Sequence, residues 1–196
     1  MNSYSRRARR LVATVRSLPR SSRAAARVAI CFFALAIEGR GYPDGVLRLT
    51  REIYMEMIGH TLTGLPDEAC GLLVGPYGGE EATHIFPTAN AAASALIYEI
   101  DPKEMLGVDR AARALGADIM GVFHSHTHTD AYPSPTDVAQ ALDPGWHYVL
   151  VSLRDTHPVV RSYRIVEGVI TEEPVEVPGL AEVAEVPEVG ESGHSK

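Results

Sequence analysis

The chemistry-bearing stretch of this chain is Gly121-Val122-Phe123-His124-Ser125-His126-Thr127-His128, followed by Ser134-Pro135-Thr136-Asp137. On an extended strand, side chains two residues apart leave the same face, so His124 and His126 stand side by side. Two neutral imidazoles at that spacing call for water or a shared metal ion. Asp137 lies eleven residues after His126, and a loop of that length can fold the start of the next helix back over the strand end. Two imidazole nitrogens and one carboxylate oxygen form a catalytic zinc set with one position left for water. Such an ion draws the pKa of that water toward neutrality. A hydrolase of this kind also needs a base, and Glu68, in Pro66-Asp67-Glu68-Ala69-Cys70-Gly71, is the candidate. Each residue also has a plainer reading. Ser134 and Asp137 make a helix capping box without any metal. Glu68 can be a solvated charge at a strand entry, and His128 a solvent-facing loop residue.

The elements that must position these residues follow from periodicity and punctuation. Ile53, Met57, Ile58 and Leu62 recur at helical spacing, and Gly64-Leu65-Pro66 stops that helix. Residues 69–74 read as a buried strand ended by Gly75-Pro76, and 83–87 and 96–100 as two further strands. Asp101-Pro102-Lys103-Glu104 opens a helix with an acidic N-cap and proline at the first position. Residues 119–123 form a strand that runs into the histidines, and Ser134 starts a helix that Asp143-Pro144-Gly145 ends. Segments 147–153, 159–166 and 169–175 close the chain as a β-meander, with Glu167-Gly168 as a hairpin turn. Helices interrupt the strands without alternating regularly, so the expected fold class is α+β, a mixed sheet with helices packed on it.

Composition bounds the function. With 196 residues, 45% hydrophobic and 22% charged, the chain suits one domain with tails and has apolar residues enough for a core. Its two cysteines, Cys31 and Cys70, stand 39 positions apart, which excludes a disulfide scaffold or a cysteine-based structural zinc site. Cys70, inside an apolar run, reads as a buried structural thiol rather than a nucleophile. The net charge of −7 is segregated: residues 1–45 carry +7, residues 46–171 carry −8 and residues 172–196 carry −6. A body of −8 repels phosphate, so no nucleic-acid partner is expected.

The arginine-rich residues 1–45 contain a ten-residue apolar run over 28–37, too short to span a bilayer. They are expected to be an extension outside the domain, disordered or the product of a start codon called too early. A membrane-surface segment and an export signal are the other readings. Residues 178–196 repeat Glu, Val and Pro and read as an acidic disordered tail. The working domain is then 46–177, in a cytoplasmic protein with no membrane attachment. No glycine-rich phosphate loop or Gly-x-Ser-x-Gly elbow is present.

The pattern resembles that of the JAMM (MPN+) metalloprotease family: an upstream Glu, then His-x-His, seven residues, Ser, two residues and Asp. Glu68, His124, His126, Ser134 and Asp137 meet it with no position missing. Pro66-Asp67-Glu68-Ala69-Cys70-Gly71, Ala131-Tyr132-Pro133-Ser134, His147-Tyr148-Val149-Leu150-Val151-Ser152 and Arg161-Ser162-Tyr163-Arg164-Ile165-Val166 are similar to the actinobacterial branch. The resemblance implies a partly closed, cytidine-deaminase-like sheet over 46–177 and one Zn2+ held by His124, His126 and Asp137. It implies that Glu68 passes a proton from the attacking water to the leaving amine, and that Ser134 donates to the oxyanion. That branch contains a peptidase releasing cysteine from the C-terminus of a ubiquitin-like sulfur-carrier protein whose tail ends Gly-Gly, so such a carrier is the implied partner. A peptidase for another ubiquitin-like conjugate or peptide, and a non-catalytic scaffold module, are the alternatives.

Overall fold

Strand alternation and helix caps produce a mixed sheet whose two faces are covered differently. The computed structural model describes residues 45–141 and 143–180. The expected N-terminal extension (except Gly45) and acidic tail (except Pro178, Gly179 and Leu180) lie outside those residues. The elements in chain order are β1 (Leu47–Arg48), α1 (Arg51–Gly64), β2 (Cys70–Gly75), β3 (His84–Thr88), α2 (Pro102–Ala114), β4 (Asp118–His126), α3 (Pro135–Gln140), β5 (His147–Ser152), β6 (Val159–Val166), β7 (Val169–Glu173) and β8 (Val175–Glu176). Six strands form one sheet in the order β3-β2-β4-β5-β6-β7. Its pairs are antiparallel except β4 with β5. The α+β fold class holds.

One face buries Leu73, Met120, Phe123, Val149 and Val151 under α1, whose Ile53 and Met57 join them with Leu47 and Leu49. The other buries Leu72, Val74, Val122 and Leu150 under Val108 and Ala112 of α2. Burial of this apolar area is the main favourable term of the fold. The expected cap at Asp101 forms, its carboxylate accepting from Lys103 N–H, and Thr50 caps α1 as well, its Oγ1 accepting from Ile53 N–H. Glu167 and Gly168 take positive φ of 51° and 80°, and the Val166–Val169 pair they join is a two-residue hairpin.

β1 closes the sheet at one end. Leu47 N–H donates to Pro174 O and Leu49 N–H to Glu176 O, while Arg48 N–H donates to Glu80 O and Ala82 N–H to Arg48 O. This two-residue strand thus joins the segment entering β3 to the segment leaving β7. The same region is anchored by a buried polar node: Glu173 Oε1 accepts from His147 Nδ1–H at 2.6 Å and from the Ser162 hydroxyl at 2.7 Å, and Oε2 from Arg164 Nε–H at 2.9 Å.

Two features depart from the sequence expectation. Residues 96–100 are not a strand; Ile100 alone makes a bridge, to Asn90, and Leu96 is 81% exposed. The amide of Asn90 takes the backbone groups a ladder would need, donating to Ser94 O and Ile97 O and accepting from Ala92 N–H and Glu99 N–H. Second, β4 carries a bulge: Leu73 pairs with Gly121 but Val74 with Ile119. Met120 is the extra residue and turns to the α1 side with Phe123, whereas Ile119 and Val122 face α2.

Candidate metal centre

The site assembles where three elements end. β4 carries His124 and His126 at its C-terminal end, β2 begins beside them (Cys70 pairs with His124), and α3 starts at Ser134. Glu68 stands two residues before β2. Its neighbour Ala69 is tied to β4 twice, donating N–H to Ser125 Oγ at 2.8 Å and accepting from Ser125 N–H at 2.9 Å. Its own carbonyl accepts from Asn90 Nδ2 at 2.9 Å, and its N–H donates to Ser94 O at 2.9 Å.

His124, His126 and Asp137 are buried and face one another. The two Nε2 atoms are 3.2 Å apart, His124 Nε2 is 3.4 Å from Asp137 Oδ1, and His126 Nε2 is 3.4 Å from Asp137 Oδ2. They form the one group of three or more such donors within mutual reach among the described residues. A tetrahedral ion with bonds of about 2.0–2.1 Å spaces its donors about 3.3–3.4 Å apart. The imidazole pair and each imidazole with its own carboxylate oxygen stand at about that length, so the donor set suits a metal of zinc's coordination habit. His126 Nδ1–H donates to the Asp130 carbonyl at 2.8 Å, which leaves Nε2 as the lone-pair donor, as in metal-ligating histidines generally.

The capping box and the ligand reading coexist. Ser134 Oγ accepts from Asp137 N–H, and Ser134 N–H donates to Asp137 Oδ2 at 2.7 Å. A hydroxyl that accepts still has its own proton to give, so half-buried Ser134 keeps a proton to donate. Cys70 is fully buried, its Sγ beside Thr88 Oγ1 at 3.4 Å, and burial pushes its thiol up. His128 is exposed and takes no part in the cluster.

The electrostatics suit a metal hydrolase. Burial pushes the Glu68 carboxyl up to about 7, with nearby His126 opposing and Asp137 reinforcing the rise. Burial raises the Asp137 carboxyl too, but the two imidazoles and Ser134 overcome it and hold Asp137 far below the usual carboxylate range. Burial lowers His124. His126 is also opposed by burial, yet Asp137 and the Asp130 carbonyl carry it upward. Sequence reasoning missed Asn90 and Tyr98. The Tyr98 ring stacks on His124 with centroids 4.2 Å apart and planes 21° from parallel.

A His-x-His strand end facing a helix-start carboxylate, on a mixed sheet with a buried Glu beside it, defines a hydrolase of the JAMM type. Residues 50–166 match the family of prokaryotic homologs of the JAB domain, and the chain belongs to that family. Over 133 residues it is 46% identical to the "CysO-cysteine peptidase" of Mycobacterium tuberculosis (strain H37Rv), covering 67% of this chain and 91% of that one. It is 38% identical over 88 residues to the "Desampylase" of Haloferax volcanii, covering 44% of this chain and 63% of that one. Among solved structures, the solution structure of protein DSY2949 from Desulfitobacterium hafniense superposes with a TM-score of 0.62 at 34% identity, covering 67% and 92% of the two chains. Among the described residues no helix is long and apolar enough to cross a membrane.

Proposed function

We propose that this chain is a zinc-dependent peptidase that hydrolyses the amide at the C-terminus of a ubiquitin-like sulfur-carrier protein and releases cysteine. The observation that carries the reading is the convergence of His124, His126 and Asp137, beside a Glu68 that titrates near neutrality. The 46% identity to a CysO-cysteine peptidase, over nine-tenths of that protein, supports the substrate class. Zn2+ held by His124, His126 and Asp137 would supply Lewis acidity toward the scissile carbonyl and a water acidic enough to attack at neutral pH.

The chain's own residues do the rest. Glu68 in its ionised form accepts the proton of the attacking water and, once protonated, returns it to the departing amine. Ser134 donates its hydroxyl proton to the oxyanion. Asp137 stays ionised throughout, because both imidazoles and the Ser134 backbone N–H hold its carboxylate charged. The substrate segment of this proposal is the carrier's Gly-Gly tail, since glycines pass where side chains clash. Domain limits of 46–177 and a cytoplasmic place in cysteine biosynthesis belong to the same proposal.

Mass spectrometry of a carrier–cysteine adduct incubated with the protein tests it. Loss of one cysteine residue is expected, abolished by a chelator, restored by zinc and absent in Glu68→Gln. An intact adduct in the presence of zinc overturns the substrate assignment. Stoichiometric failure to retain zinc overturns the metal assignment.

A further inference from the structure

The two ligand histidines are steered by different means. His126 is tethered through Nδ1 to the Asp130 carbonyl. His124 has no such tether: its Nδ1 is buried and finds no hydrogen-bond partner among the described residues. The χ2 torsion of histidine is broad and roughly two-fold, so an untethered ring can swing or flip, and a flip carries Nε2 away from Asp137. What meets the ring is the face of Tyr98, near parallel at 4.2 Å.

We propose that Tyr98 is the positioning residue of His124, its ring plane setting the imidazole plane so that Nε2 meets His126 and Asp137. The inference rests on the metal-hydrolase reading above. Tyr98 is itself held on both sides by one side chain. Asn90 Nδ2 donates to Ile97 O at 3.0 Å, and Asn90 Oδ1 accepts from Glu99 N–H at 3.0 Å. The same Nδ2 donates to Glu68 O at 2.9 Å, and the Thr127 hydroxyl donates to Ala95 O at 3.2 Å. The loop that presents the flat ring to His124 is thus bonded directly to the backbone of the base and to the end of the histidine strand. Stacking replaces a hydrogen bond as the orienting contact, and offset stacked rings attract in their own right.

The test compares Tyr98→Phe, which keeps the plane and loses only the hydroxyl, with Tyr98→Leu, which keeps apolar bulk and loses the plane. Zinc affinity is read by chelator competition and ligand geometry by the visible absorption of the cobalt-loaded protein. Phe is expected to match the parent in both. Leu is expected to bind zinc roughly 10–100-fold more weakly, as losses of orienting partners do, with an altered cobalt spectrum. Equal affinity and spectrum for Leu overturn the inference, as does an equal loss in Phe and Leu. If the parent protein binds no metal, the hydrolase reading fails separately. The imidazole NMR signals of His124 then decide: one sharp set in parent and Phe but exchange-broadened signals in Leu sustain the orienting role, and identical signals in all three overturn it.

Discussion

Glu68 is buried, and burial makes its carboxylate a stronger base while disfavouring the ionised form that accepts a proton. Burial holds its carboxyl near 7 in the metal-free protein, so a neutral solution contains both its forms. A cation bound at the neighbouring donors favours the charged form. We therefore expect Glu68 to titrate near 7 by NMR without metal and lower after zinc is added, so that kcat/KM of the zinc enzyme falls on acidification below 7. The same shift carries a stability cost. The folded state holds this proton more tightly than the unfolded chain, so stability is lost as pH rises from about 4.5 to about 7 and stays lost above it. Glu68→Gln removes that cost. Metal-free Glu68→Gln is expected to be more stable than the parent at pH 8 by on the order of 1–3 kcal/mol in denaturant melts, while being inactive.

Ser134 is the complementary case, because its hydroxyl caps α3 and offers a proton. Ser134→Ala should lower stability by about 1 kcal/mol and kcat by about 10²–10³, with KM nearly unchanged. A loss confined to stability would leave Ser134 a cap and nothing more.

At the scale of elements, the site was legible wherever the signal was local. Same-face histidines, an acidic first turn and a Glu before an apolar run are all readable from spacing, and the structure brings them to one point. The supports were less legible. Residues 89–100 are ordered by polar contacts rather than by a hydrophobic period, and the amide of Asn90 alone takes five backbone groups, four of them within the segment. Asn90→Ala should release that segment. The expected reading is faster amide hydrogen exchange over 91–99 and a fall in activity, with exchange in β5 and β6 unchanged. The bulge in β4 was hidden for a different reason. Strict alternation would put Met120 on the face of Val122, yet Met120 crosses to the α1 side, and Gly121 beside it lets β5 approach closely. A Cβ at Gly121 would lie 2.6 Å from the His147 carbonyl oxygen. Gly121→Ala should therefore destabilise the domain and weaken zinc binding together, since the strand phase places both histidines.

For the whole molecule, the edges matter as much as the centre. β1 and β8 are two residues each, too short for any periodic signal, yet Leu47 and Leu49 are 0% and 1% exposed. Leu47→Ala should cost about 2–5 kcal/mol in unfolding experiments. A chain begun at Met55 lacks β1 and the first turn of α1, and it should melt well below one begun at Gly45. The Glu173 node binds β5, β6 and the end of β7 into the same closure. Glu173→Gln leaves part-buried Arg164 without its anion and should cost up to about 3 kcal/mol, with no change in zinc stoichiometry, because the node lies at the opposite end of β5 from the metal centre.

The carboxylate of Asp137 closes the first turn of α3 and faces both imidazoles at once. An asparagine there keeps an oxygen to receive the Ser134 amide but forfeits the anion. A duplicated gene can thus extinguish its chemistry in one codon while its product keeps its shape.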